Sequence, residues 1–181
     1  MNRCGIILVF ILCLSLCGCG NKDRIRQGVM LTDEQAEEIA KENYETYQSE
    51  VNELYGYINE YRNENGLEQV ELDELLCLMA MHRSAENAHM EYMETEEIDG
   101  VLRHLRPNGE PASTICNVYG VFGNYGEIMG RRQMTPLEIF EDWCESQPHS
   151  ECMLNDIYSR VGIGLCQSSK GEWYWTAIFM N

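Results

Sequence analysis

The chain carries four histidines, and three arrangements around them could do chemistry. His82, Glu86 and His89 stand at i, i+4 and i+7, so a helix would place them on one face, where two imidazoles and a carboxylate can hold a divalent metal. The pattern HxxxExxH is not the HExxH of zinc proteases, however, and a charged solvated face gives the same spacing. This helix therefore reads as scaffold. His104 opens HLRPNG, and His149 follows Gln147-Pro148 at the end of a helical run. Imidazole titrates near neutrality and ligates metals, so either histidine could move a proton or hold an ion.

Each is placed by a rigid element. Before His149, Thr135 is an N-cap and Pro136 fills the first helical position, where its missing N–H is no loss. Glu138 gives a capping-box spacing with Thr135. Leu137, Phe140, Trp143 and Cys144 recur at helical steps, which predicts that they pack on a core. For His104 the positioning element is the Pro107-Asn108-Gly109 turn, in which Pro presets φ and Asn and Gly tolerate positive φ.

Upstream, Thr32 and Gln35 form another capping-box spacing, and Ala40, Tyr44, Tyr47, Val51, Leu54, Ile58 and Tyr61 run at helical steps to Asn65-Gly66. One long helix or two abutting ones are expected, either lying along the body or acting as a spacer. A further helix should run from Asp73 to about Tyr92, with Leu72, Leu75, Leu76, Met79 and Arg83 facing inwards. Gly120 to Gly130 reads as an irregular strand entrance. Tyr158 to Cys166 and Glu172 to Phe179 read as a closing hairpin, with Trp173, Trp175 and Ile178 packing on helices.

Composition narrows the classes. At 181 residues there is room for one domain and a tail, and 13 basic against 30 acidic residues give a net charge of -17, which argues against nucleic acid as a partner. Asn2-Arg3, the apolar run from Gly5 to Leu16 and the small residues after it read as an export signal, too short to span a bilayer comfortably. Its end, Leu16-Cys17-Gly18-Cys19, is similar to the lipobox of bacterial lipoproteins, making Cys19 the lipidation site. Diacylation supplies the two chains stable anchoring needs. Beyond it remain Cys77, Cys116, Cys144, Cys152 and Cys166, an odd set in a disulfide-permissive compartment. Cys144 with Cys152 is the candidate pair, since both flank the turn carrying His149; the other reading is five buried small hydrophobes.

TPLEIFEDWCESQPHSECML resembles the TPEEAVxxWxxSPGHRxNIL of bacterial members of the CAP superfamily (cysteine-rich secretory proteins, antigen 5 and pathogenesis-related 1). HLRPNG resembles that family's HxRPDG, and YGEIM its GEN[IL], with Ile128 where Asn is usual. YINEYRNENGLEQVELDELL, AMHRSAE and the hairpin's VGIG and WYWTAIF match further segments, from about residue 51 to the end. The resemblance implies an α+β fold, the three-layer α/β/α sandwich with a small antiparallel sheet. It divides the chain into a signal at 1–19, a linker and helical spacer at 20–50 and a CAP domain at 51–181.

In many CAP proteins two His and two Glu line a central cleft, and some members bind zinc or another divalent cation through the His pair. Carried over, that cleft comprises His104, Glu127 and His149, with Ser146 in place of the second Glu. Glu145, beside it, would point about 100° away around a helix. The resemblance implies an extracellular module, and with the lipobox-like leader it gives a lipid-anchored binding module at the cell envelope, its partner a protein, lipid or wall ligand. One alternative is a metal-dependent hydrolase of peptides or wall polymers, with His104 and His149 on the ion and Glu127 as general base. Another is a sterol or fatty-acid carrier. No GxSxG or HExxH supports catalysis.

Overall fold

The computed structural model describes residues 28–93, 95–98 and 101–181, so the leader, Cys19 and the first part of the linker lie outside the described residues. Helices α1 (Asp33–Thr46) and α2 (Gln48–Glu64) abut at Tyr47, whose backbone leaves the helical region. Thr32 and Gln35 close the expected capping box at the start of α1. Gly66, at φ 75°, turns the chain after α2. A two-residue strand β1 (Glu71–Leu72) leads to α3 (Glu74–Met90), capped by the Asp73 side chain, which accepts from the backbone N–H of Leu76.

The sheet has the order β1-β5-β6-β4, with β4 spanning Tyr125–Arg131, β5 Arg160–Gln167 and β6 Trp173–Met180. β4, β5 and β6 are antiparallel, and β1 joins β5 in parallel. The closing hairpin forms as its sequence predicts. A separate antiparallel ribbon, β2 (Thr95–Ile98) with β3 (Val101–His104), ends on His104; its residues alternate too weakly between apolar and polar to mark it beforehand.

Side-chain alternation on β6 sorts the two faces. Trp175, Ala177 and Phe179 join Val161, Ile163 and Leu165 of β5 in a core with Val51, Leu54 and Ile58 of α2, with Ile139 and Trp143 of α5 (Pro136–Glu145), and with Met153 of α6 (Gln147–Met153). Ile178 and Met180 face the other way, onto Leu76, Met79 and Ala80 of α3 and Ile115 of α4 (Ile115–Tyr119). This is the α/β/α sandwich. α3 can lie on β5 only because Gly162 and Gly164 lack side chains: a Cβ at Gly164 would come within 2.2 Å of the Ala80 backbone.

Two expected inward residues face solvent. Leu75 is 42% and Leu137 43% exposed, because the buried stripes run through Leu76, Met79 and Ala80 on α3 and through Pro136, Ile139 and Trp143 on α5. Phe140 packs sideways instead, stacking on Tyr57 at 5.5 Å and meeting Tyr61 edge-on at 5.9 Å. All five cysteines of the described residues are free, so the expected Cys144–Cys152 bond is absent. Cys144 lies near Glu64 at the end of α2, whereas Cys152 points at Gly126 on β4. Among the described residues no helix is long and apolar enough to cross a membrane.

Candidate functional site

The site is built on one hydrogen-bonded chain of charges. His104, at the end of β3, places Nδ1 3.1 Å from Oε1 of Glu127 in the middle of β4. The other oxygen of Glu127 accepts from Arg83 Nε at 3.0 Å and from the Tyr125 hydroxyl at 2.7 Å. Arg83 continues to Glu86 through Nη1, and donates to the carbonyl of Leu105 at 3.1 Å, which ties the residue after His104 to α3. Glu86 in turn accepts from Arg106 Nε at 2.9 Å, and Arg106 reaches Asp33 in the first turn of α1. Asp33, Arg106, Glu86, Arg83, Glu127 and His104 thus form one network running from α1 to the ribbon.

Burial sets its electrostatics. Desolvation by itself would raise the pKa of Glu127, but the Arg83 charge and the hydrogen bonds from His104 and Arg83 outweigh it and hold the carboxyl far below the usual carboxylate range. Glu86 is held down to about 2 in the same way: burial opposes ionisation, and His82, Arg83 and Arg106 overcome it. With Glu127 ionised and accepting, the hydrogen-bond network assigns the His104 proton to Nδ1 and leaves Nε2 open.

A cleft of about 600 Å³ opens beside this network, lined by His104, Glu127, Tyr125, Arg103, Ser113 and Asn124 among others. His104 is 17% exposed and the Glu127 side chain nearly buried. His149 and Ser146 lie outside that lining, on the neighbouring α6 and at its N-cap. His149 is nonetheless electrostatically linked to the cleft: burial first, and the charge of His104 second, lower its pKa. His104 and Glu127 therefore meet directly, and His149 stands close enough to His104 to sense its charge.

The second expected cluster is rearranged. His82 and Glu86 do converge, but His89 turns Nδ1 back to the carbonyl of Ala85 at 3.0 Å. Asp33 takes its place, so that donor atoms of Asp33, His82 and Glu86 lie within 4.8 Å of one another. Arg106 already fills that position as the cation, bonded to both carboxylates and 3.3 Å from His82 Nε2. The helix face is structural.

With this geometry in place, the sequence model of the CAP (cysteine-rich secretory protein) family matches residues 55–179. The chain belongs to the CAP family. The protein YkwD of Bacillus subtilis is 25% identical over 136 residues, which cover 75% of this chain and 47% of that protein. An extracellular protein containing an SCP domain from Bacillus anthracis superposes with a TM-score of 0.62 at 16% identity, covering 84% of this chain and 45% of that one. An outer surface protein from Borrelia burgdorferi gives 0.56 at 17% identity over 85% of this chain and 98% of its own. At such identities the likeness is one of fold. The chain spans about half the length of the Bacillus proteins it matches. The CAP match begins after α1, yet α1 supplies Asp33 to the CAP domain's buried network.

Arg83, Arg106 and Tyr125 belong to this hydrogen-bond network, although the motifs by themselves gave them no part in it. A signal existed for one pair: Arg83 and Glu86 stand three apart and so share a face of one helix, and such charges are buried only when paired.

Proposed function

We propose that this CAP protein is an exported, lipid-anchored module that binds a cell-envelope ligand in the cleft headed by His104. The observation that carries this reading is the buried Arg83–Glu127 pair behind His104, at 3.0 Å. It fixes an imidazole at the wall of a cleft of about 600 Å³, within the range of small-ligand sites, about 300–1,000 Å³. Export and anchoring are supported by the leader and the lipobox-like Leu16-Cys17-Gly18-Cys19, and by two relatives being an extracellular and an outer surface protein.

A divalent cation such as zinc would have His104 and His149 as its ligands: metal-bound histidines commonly give their other nitrogen to a carboxylate, as His104 gives Nδ1 to Glu127. Such an ion would supply Lewis acidity at the cleft. Glu127 would not be its general base, because both carboxylate oxygens already accept hydrogen bonds, one from His104 and the other from Arg83 and Tyr125. The hydrolase reading therefore loses its base. The largely polar lining gives the sterol-carrier reading no support.

The test is retention of the protein on isolated bacterial envelopes, compared with His104→Ala. Loss of retention in the variant supports the cleft as the binding site; equal retention sinks it. Zinc calorimetry on the same pair, with His149→Ala added, decides whether an ion takes part. Membrane fractionation of Cys19→Ala tests the anchor.

A further inference from the structure

Most of this protein's surface repels anions, since its net charge is -17. The cleft differs. Its one acidic wall residue, Glu127, is matched by Arg83, so the local balance is set by Arg103, an exposed cation on the cleft lining. Glu96 stands opposite Arg103 across the ribbon but makes no ion pair with it, and no other described acid does. A guanidinium presents a planar fork that fits a carboxylate with two parallel hydrogen bonds. The hydroxyl of Ser113 and the amide of Asn124 line the same space and can donate beside it.

Two further features narrow the class of anion. Phe122, on the loop before β4, is 78% exposed, and it lines a recess of about 250 Å³ with Val121 and Cys116 that shares Ser113, Gly123 and Tyr125 with the cleft. One exposed phenyl is ordinary on a protein surface; what matters is that its recess adjoins the cleft that Arg103 lines. β4 is also the outer strand of its sheet among the described residues, and its edge starts at Tyr125, within the cleft. An outer strand can offer N–H and C=O groups to an extended chain, here near Tyr125, since further along β4 the Trp143 indole already takes the Met129 carbonyl.

We propose that the cleft takes the free carboxylate end of a short extended peptide, with Arg103 on the carboxylate and Phe122 against its last apolar side chain. Ser113 and Asn124 complete the carboxylate contacts, and the edge of β4 takes the backbone. The proposal rests on the binding reading above and names its ligand class.

The experiment is calorimetric titration of the protein with acetyl-Ala-Ala-Leu as the free acid, its C-terminal amide, and 4-methylpentanoate, a small acid lacking the peptide. The acid should bind about tenfold or more tightly than the amide. Arg103→Gln should abolish that preference, and Phe122→Ser should weaken acid and amide alike. Both side chains are exposed, so both variants should keep the wild-type circular dichroism. Equal binding of acid and amide, or a preference that survives Arg103→Gln, overturns the proposal. So does 4-methylpentanoate binding as tightly as the peptide, which would make a small acid the ligand. If envelopes still retain the protein in a His104-dependent way while any of these results holds, this proposal alone has failed.

Discussion

His104 Nδ1 lies 3.1 Å from Glu127 Oε1, and Glu127 is in turn held by Arg83, so the orientation of a cleft imidazole depends on a salt bridge buried behind it. The two partners are not equivalent. Replacing Glu127 with Gln leaves Arg83 buried with only part of its charge met, and should destabilise by about 3–5 kcal/mol. His104→Ala removes a partly exposed ring and leaves Glu127 with Arg83 and Tyr125, and should cost about 1 kcal/mol. Urea unfolding of both variants measures the difference; equal losses would mean that Glu127 is not the anchor.

His149 reports on the cleft without lining it. Burial and, second, the charge of His104 lower its pKa. His104→Ala should therefore raise the His149 pKa, though not to the ordinary value of about 6.5, since burial persists. An NMR titration of the imidazole C–H signals reads this directly. An unchanged value would mean that the two rings do not sense one another.

Acid should unfold the protein through its paired carboxylates. Folded pKa values below the unfolded ones give stability that is complete above the unfolded pKa, near about 4.3, and is lost as pH falls towards the folded value. For Glu86 that window closes at about 2, and the loss is on the order of 3 kcal/mol, with Glu127 acting in the same direction. His149, also lowered, starts its smaller decline nearer pH 6.5. Thermal unfolding from about pH 7 to pH 2 should show a steep fall below about pH 4 that Glu86→Gln flattens.

Asp33 joins α1 to the network from a half-exposed position, its side chain 46% accessible. Water screens it, so Asp33→Asn should cost no more than about 1 kcal/mol overall. Hydrogen exchange should nevertheless quicken in α1 and not in α3. Uniform exchange would show that α1 is held by its packing and by the Asn43 bond to the Leu165 carbonyl, not by Asp33.

Gly164→Ala tests the close approach of α3 to β5. A methyl group there meets backbone atoms, which cannot turn aside, so the loss should reach about 3 kcal/mol, the upper end for overpacking. A Gly56→Ala control, on the surface of α2 with nothing within 4 Å of the added Cβ, should be neutral or stabilising.

Much of this was legible in the chain because it is local. Thr32, Asp73 and Thr135 announced three helix starts, and all three side chains accept from the first turn as their types demand. The closing hairpin and the Pro107-Asn108-Gly109 turn followed from β-rich runs and positive-φ residues, and Gly109 does adopt φ 87°. Even the pairing of His104 with Glu127 could be anticipated from the resemblance of their flanking motifs. Errors of helix face, at Leu75 and Leu137, came from reading periodicity where two overlapping stripes fit equally well.

What the sequence by itself determined, then, were the caps, turns, strands and the family pattern, each set by residues within a few positions of one another. The tertiary structure alone decided which charges meet. Asp33, Glu86, Arg106 and Glu127 come from four separate segments, and no local rule pairs them; burial does, because a charge taken from water must find its opposite. His89 meanwhile turns back to its own helix, and Asp33 stands beside Glu86 because the Arg106 guanidinium reaches both carboxylates.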